Sequence, residues 1–327
     1  MEPRDTAPVR PGEELPIDKL SAWLGEAVTV EQFPGGHSNL TYLVRTPSSE
    51  YVLRRAPLGP VPPKAHDMAR EYRLLEALHP RFPPAPRVFR LCEDLDVIGA
   101  VFYLMERRRG VIVRDPRAVT GEQARAMSEA FVGRLADLHG IYLDGVGKPE
   151  GFLDRQVSGW SERWMKAETP DRPDMNAVMD YLRTTIPVSG LPSIVHNDYK
   201  LDNVMFTADL GAIDAILDWE MTTVGDPVAD LGLSLCYWTI GSAYAAPDGA
   251  GWFSRDELIE RYVALTGREL SRIAWYETLG VFKLAVILQQ IYVRWVRGQT
   301  RDERFKDFGP RVAFLAARAT ALAERAE

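Results

Sequence analysis

Between Ser193 and Asp230 the chain reads SIVHNDYKLDNVMFTADLGAIDAILDWEMTTVGDPVAD, and this stretch limits the possible folds more than any other. An apolar lead-in, Ile194 and Val195, precedes a polar cluster in which His196, Asp198, Lys200, Asp202 and Asn203 crowd together. The chain turns apolar at Val204, Met205 and Phe206, passes a polar turn at Thr207 to Gly211, and rises again through Ala215, Ile216 and Leu217 to Asp218. Two short strands joined by a tight turn are predicted, with Asn203 and Asp218 side by side at one mouth. An amide oxygen and a carboxylate there make a hard-oxygen set that suits magnesium, which proteins hold with one or two carboxylates plus substrate phosphates. Asp198, five residues before Asn203, is left to work on a hydroxyl.

The pattern H-x-D-x-K-x-x-N followed by an apolar strand and an aspartate resembles the catalytic and metal loops of protein kinases. Its detail is closer to the aminoglycoside phosphotransferase family of small-molecule kinases. Leu217-Asp218-Trp219-Glu220 and then Gly225-Asp226-Pro227-Val228-Ala229-Asp230-Leu231 carry that likeness. V-L-R-R-x-P, the R-Q…W segment and D-W-E…G-D-P-x-A-D-L-G are similar to the branch fused to acyl-CoA dehydrogenases in some proteins. The resemblance implies an α+β, two-lobed, protein-kinase-like fold: a small antiparallel N-lobe sheet with one main helix, and a large, mainly helical C-lobe. The domain expectation is a flexible arm over 1–16, a nucleotide-binding N-lobe over 17–106, and a C-lobe over 107–327 carrying the catalytic loop and acceptor site.

Composition narrows the classes. A net charge of −7 argues against a nucleic-acid partner, which wants a concentrated basic face. Cys92 and Cys236 stand alone in apolar surroundings and read as reduced, buried thiols. The five histidines show no zinc spacing. Met1 to Pro16 is polar and proline-bearing, unlike a signal peptide. The most apolar run, Thr278 to Val296, contains Lys283, Gln289, Gln290 and Arg294, which predicts a buried helix and no membrane span. A cytoplasmic protein is expected.

Alternating stretches at Ala27 to Phe33, Leu40 to Arg45 and Tyr51 to Arg55 predict three paired strands. The loop between the first two contains Gly35, Gly36, Ser38 and Asn39. Its glycines permit close backbone approach, and the resemblance implies that it covers nucleotide phosphates. On the third strand kinases carry a phosphate-binding lysine; here the position is arginine, Arg54 or Arg55, which can still grip phosphate in bidentate fashion. Lys64 to His79 has helical spacing, and Glu71 is the candidate partner of that arginine. Arg87 to Leu91 and Ala100 to Met105 are further strands. The resemblance puts the hinge at Glu106 and Arg107, whose backbone groups would bind adenine.

Past the hinge, helices are predicted from Thr120, a candidate cap, to about Tyr142, and then over Gly151 to Lys166 and Met175 to Thr185. His139 is read as a packed structural residue. Gln156, Trp160 and Trp164, with Glu220, are the acceptor-site candidates. Asp226 before Pro227 forms a helix N-cap, and everything after Asp218 is expected to be helical. The resemblance implies transfer of the ATP γ-phosphoryl to a hydroxyl. Asp198 would accept the hydroxyl proton, Lys200 reach the γ-phosphate, Asn203 and Asp218 hold Mg2+, and His196 and Asp230 brace the loop. Asn197 stands where the family usually has glycine, and asparagine tolerates left-handed backbone. The expected partner is a small-molecule hydroxyl acceptor, for which the resemblance suggests a hydroxyacyl-CoA-like metabolite; an aminoglycoside acceptor, or a catalytically silent nucleotide-binding module, is the alternative.

Overall fold

The computed structural model describes residues 5–34, 39–58, 66–240, 250–300 and 303–325. In chain order the elements are α1 (Ile17–Leu24), β1 (Thr29–Gln32), β2 (Leu40–Arg45), β3 (Glu50–Arg55), α2 (Met68–Leu78) and β4 (Val88–Cys92). They continue with α3 (Leu95–Ile98), β5 (Phe102–Met105), α4 (Gly121–Leu138), α5 (Phe152–Lys166), α6 (Asn176–Thr184) and β6 (Ser193–Val195). The rest are β7 (Val204–Phe206), β8 (Ile213–Ile216), β9 (Thr223–Gly225), α7 (Pro227–Thr239), α8 (Arg255–Thr266), α9 (Ile273–Val296) and α10 (Phe308–Arg325). The class is α+β. The chain forms two compact units: Met1–Val111 with Ile213–Glu220, and Ile112–Ala212 with Met221–Glu327.

In the first unit a five-stranded antiparallel sheet runs in the order β1-β2-β3-β5-β4. The strand period of two sorts its side chains. Tyr42 and Leu53, paired across β2 and β3, are fully buried with Leu20, Phe102 and Leu104. Arg54, one residue on, points to the other face, where it pairs in register with Thr41 and Tyr103. Helix α2 starts on Asp67, whose side chain accepts the Arg70 N–H, and turns Glu71 inward. The arm expected to be flexible is tied down from Ala7 onward. Ala7 and Gln32 exchange both backbone bonds (2.9 and 2.8 Å), Tyr42 donates to the Glu13 carbonyl, and Leu15 is buried. The open edge of β1 supplies the backbone partners, and Leu15 supplies the apolar anchor.

The second unit is built around α9, which packs on α7 and α10. By length and apolarity α9 could cross a bilayer, yet half of its most apolar window is buried inside the protein. The α7–α9 contact is tight because it is made at glycines: a Cβ on Gly232 would stand 2.7 Å from the Tyr276 carbonyl carbon. The expectation of a purely helical course after Asp218 is corrected. A 3-10 turn at Trp219–Met221 and strand β9 intervene, β9 pairing antiparallel with β6, and α7 begins only at Pro227. Helix α4 ends earlier than expected, at Leu138. Thr120 holds its N-cap position with extended backbone but no side-chain bond.

Candidate active site

The catalytic-loop candidates lie in the second unit, between β6 and β7. Three side chains donate to Asp198. Lys200 Nζ reaches both carboxylate oxygens (3.0 and 2.8 Å), Asn203 Nδ2 reaches Oδ2 and the backbone carbonyl (2.8 and 2.9 Å), and Tyr237 OH reaches Oδ1 (2.8 Å). With its NH2 spent on Asp198, Asn203 keeps its amide oxygen as an acceptor for something else. Asn197 adopts φ 64°, the left-handed conformation that turns the loop, and its side chain donates to the Met221 carbonyl at 3.1 Å.

Asp230, one turn into α7 and fully buried, holds this loop by its backbone. It accepts the N–H groups of His196 (2.5 Å) and Asn197 (2.8 Å). His139 Nε2 approaches the same carboxylate at 3.2 Å, and its Nδ1 is 2.7 Å from Tyr262 OH. Burial opposes the Asp230 charge. The bond to His139, its field and that of His196, and the His196 N–H together hold the carboxyl below the ordinary aspartate value. Burial pushes the His139 imidazole down, against the pull of Asp230. His196 faces inward, where its Nδ1 lies 3.3 Å from the Asp198 N–H and its ring packs edge-on to Tyr199.

The first unit carries a second charged cluster. Arg54 Nε lies 3.3 Å from Glu71 Oε2, and its NH2 donates to Asp218 Oδ1 at 2.5 Å. Arg55 instead bonds the carbonyls of Ala56 and Ile98, so alternation along β3 assigns the pairing to Arg54 alone. Burial opposes the Arg54 charge, but Glu71, Tyr103 and Asp218 raise its pKa above the ordinary arginine value. Burial likewise pushes Glu71 up, with Arg54 opposing. Among the described residues neither Arg54 Nε nor Glu71 Oε2 has a well-directed hydrogen bond. Asp218 itself sits at φ 67°. Beside it, Glu220 accepts from Asn39 Nδ2 (2.8 Å) and lies 3.2 Å from His66 Nδ1.

The remaining candidates divide. Gly35, Gly36 and Ser38 lie outside the described residues. The Glu106 backbone N–H is already given to the Arg87 carbonyl, and the Arg107 side chain is held by Glu50 and Asp5. On α5, Gln156 Oε1 accepts from Trp160 Nε1 at 3.1 Å. Trp164 belongs to the core: it is 1% exposed, packs against Phe282, and its burial removes it from the acceptor candidates. Glu220 joins Asn39 and His66 in the first unit rather than the α5 residues. Sequence reasoning missed Tyr237, His66 and the His139–Asp230 pair. Tyr237 had a usable signal, since it follows Asp230 by two helical turns and so shares its face of α7.

A cation and a polyphosphate suit these groups. Taken unit by unit, the Asn203 amide oxygen in the second and the Asp218 carboxylate in the first are each a hard oxygen of the kind magnesium prefers, and the buried Arg54 guanidinium of the first, lacking a well-directed bond at Nε among the described residues, suits phosphate.

Comparison with known proteins places the chain. Residues 29–276 match the model of the phosphotransferase enzyme family known as APH. Acyl-CoA dehydrogenase family member 10 of Mus musculus is 32% identical over 93% of this chain, and family member 11 of Pongo abelii is 32% identical over 91%. The chain spans only 31% and 42% of those two proteins. A Ralstonia eutropha crystal structure, provisionally described as an aminoglycoside phosphotransferase, superposes with a TM-score of 0.85 at 31% identity, covering 96% of this chain and 100% of that one. Aminoglycoside phosphotransferase APH(4)-Ia, in a ternary complex with AMP-PNP and hygromycin B, matches at TM-score 0.59 and 16% identity over 94% of this chain and 97% of that one, a likeness of fold alone. With three quarters of its length matched by the family model, this chain belongs to the APH phosphotransferase enzyme family and has its protein-kinase-like fold.

Proposed function

We propose that the protein transfers the γ-phosphoryl group of MgATP to a hydroxyl of a small molecule. The observation that carries this reading is the state of Asp198: a carboxylate held by Lys200, Asn203 and Tyr237 on a loop whose backbone is clamped to buried Asp230. A residue so fixed suits orienting a hydroxyl and taking its proton as the phosphoryl group is transferred. Asp218 and Asn203 would hold Mg2+, which when bound neutralises charge on the phosphate oxygens. Arg54, kept charged by Glu71, binds phosphate, and Lys200 neutralises the group being transferred. The relatives' kinship with acyl-CoA dehydrogenases favours a hydroxyacyl-CoA-like metabolite as acceptor.

The test is ADP release from MgATP over a panel of hydroxyacyl-CoAs, hydroxy acids, choline-like alcohols, sugars and aminoglycosides, with Asp198→Ala as background. An acceptor that raises ADP release in the native chain only supports the reading. MgATP binding with no acceptor-dependent release across a broad panel would favour a silent nucleotide-binding module.

A further inference from the structure

Glu220 is gripped from three places in the first unit. Asn39, buried at the start of β2, donates from Nδ2 to Glu220 Oε2 at 2.8 Å. His66, two residues ahead of α2, brings Nδ1 to 3.2 Å from the same oxygen and to 2.9 Å from Asn39 Oδ1. Arg70, on the first turn of α2, donates from Nη1 to the Glu220 carbonyl at 3.1 Å. These contacts fix the placement of a proton. Asn39 gives its NH2 to the carboxylate, so its amide oxygen is what faces His66, and Glu220 Oε2 is an acceptor as well. With an acceptor on either hand, Nδ1 of His66 must carry a proton whether the ring is neutral or charged.

The grip matters because of what lies two residues back. Asp218 sits at φ 67°, a left-handed backbone that an aspartate adopts at a cost and keeps only where its surroundings over-determine it. His66 is left-handed too, at φ 55°. Arg54 holds the Asp218 side chain, yet the two carboxylates repel. Burial and then the Asp218 charge push the Glu220 carboxyl up, while Arg54, His66 and the Asn39 bond oppose them. A Glu220 stripped of its donors does better in water, and the 218–220 backbone is then free to leave its left-handed turn.

We infer that His66, through Asn39 and Glu220, is a positioning residue for Asp218, keeping that carboxylate where it can serve a cation. The inference rests on the phosphotransferase reading for the cation and not for the grip itself. In this role Glu220 is the brace of its neighbour, and His66 and Asn39 are what make the brace hold.

Two substitutions separate positioning from packing. His66→Asn keeps a donor near the place of Nδ1 and tolerates the left-handed backbone; His66→Ala keeps neither. Three readouts are taken on the full chain. NMR of ring-labelled histidine gives the protonation of Nδ1, with the His66 signals assigned by their loss in His66→Asn. Hydrogen exchange follows the peptide from Ile213 to Met221, and calorimetry measures the binding of ADP with Mg2+ and with EDTA. The expected result is an Nδ1 that carries its proton at every pH where the chain is folded. In His66→Ala, exchange of that peptide should rise and MgADP binding weaken by about tenfold each, the scale of one hydrogen bond to a charged group. ADP without the metal should bind as before, and His66→Asn should restore both. A bare Nδ1, or exchange in His66→Ala that matches the native chain, would overturn the inference. So would a weakening that is equal with and without Mg2+ and that His66→Asn fails to restore. Mg2+ that leaves ADP binding by the native chain unchanged tells against Asp218 as a metal ligand, and so against the phosphotransferase reading, while the proton and the exchange still decide the grip. MgADP held equally well by the native chain and by His66→Ala tells against the positioning role alone.

Discussion

Asp230→Asn is the substitution whose outcome follows most directly from the structure. The native carboxylate accepts from His196 N–H at 2.5 Å and Asn197 N–H at 2.8 Å, and His139 Nε2 lies 3.2 Å away, all in full burial. Asparagine keeps the shape but loses the charge, and it must turn an NH2 toward a group that is itself a donor. Hydrogen bonds to a charged group contribute about 1.5–3 kcal/mol each, and a buried donor left unsatisfied costs about 1–3 kcal/mol. These effects overlap, two charge-assisted bonds weakening while one buried donor is left facing another, and together come to about 3–5 kcal/mol. The expected loss is therefore about 3–5 kcal/mol, or two to four decades in the opening equilibrium. Hydrogen exchange of the peptide spanning Ser193 to Asn203 reads that opening locally, and urea unfolding followed by tryptophan fluorescence reads it globally. Exchange and urea midpoint both unchanged within about 0.5 kcal/mol would refute the claim that an ionised Asp230 holds the loop.

Three further outcomes are expected. Tyr237→Phe removes one donor from Asp198 without changing its packing, so turnover should fall about tenfold while MgATP affinity stays as it was; undiminished turnover would show that Tyr237 does not position the base. His139 has a folded pKa below its unfolded value, so the unfolded chain takes the proton first and stability is lost as pH falls through about 6.5. The slope should approach about 1.4 kcal/mol per pH unit from this group, and His139→Asn should remove that share; identical pH slopes in urea midpoints would refute it. Gly232→Ala drives a methyl to 2.7 Å from the Tyr276 backbone and should cost about 1–3 kcal/mol of thermal stability. An unshifted Tm would mean that α7 and α9 part more easily than their packing indicates.

What the sequence by itself determined is local in the chain. Lys200 and Asn203 reach Asp198 across two and five residues, Asp226 caps α7 across two, and Asn197 supplies the left-handed turn where it stands. Short separations leave few geometries, so residue type and spacing suffice to read them. The apolar alternation of β2 and β3 was legible for the same reason. What only the tertiary structure decided lies between segments far apart. Arg54 rather than Arg55 meets Asp218 across 164 residues, His139 meets Asp230 across 91, and Trp164 turns into the core while Trp160 takes Arg163 and Lys283 on its ring. A period of two or 3.6 says which residues share a face but not which distant face they meet. That choice is made only when the whole core packs.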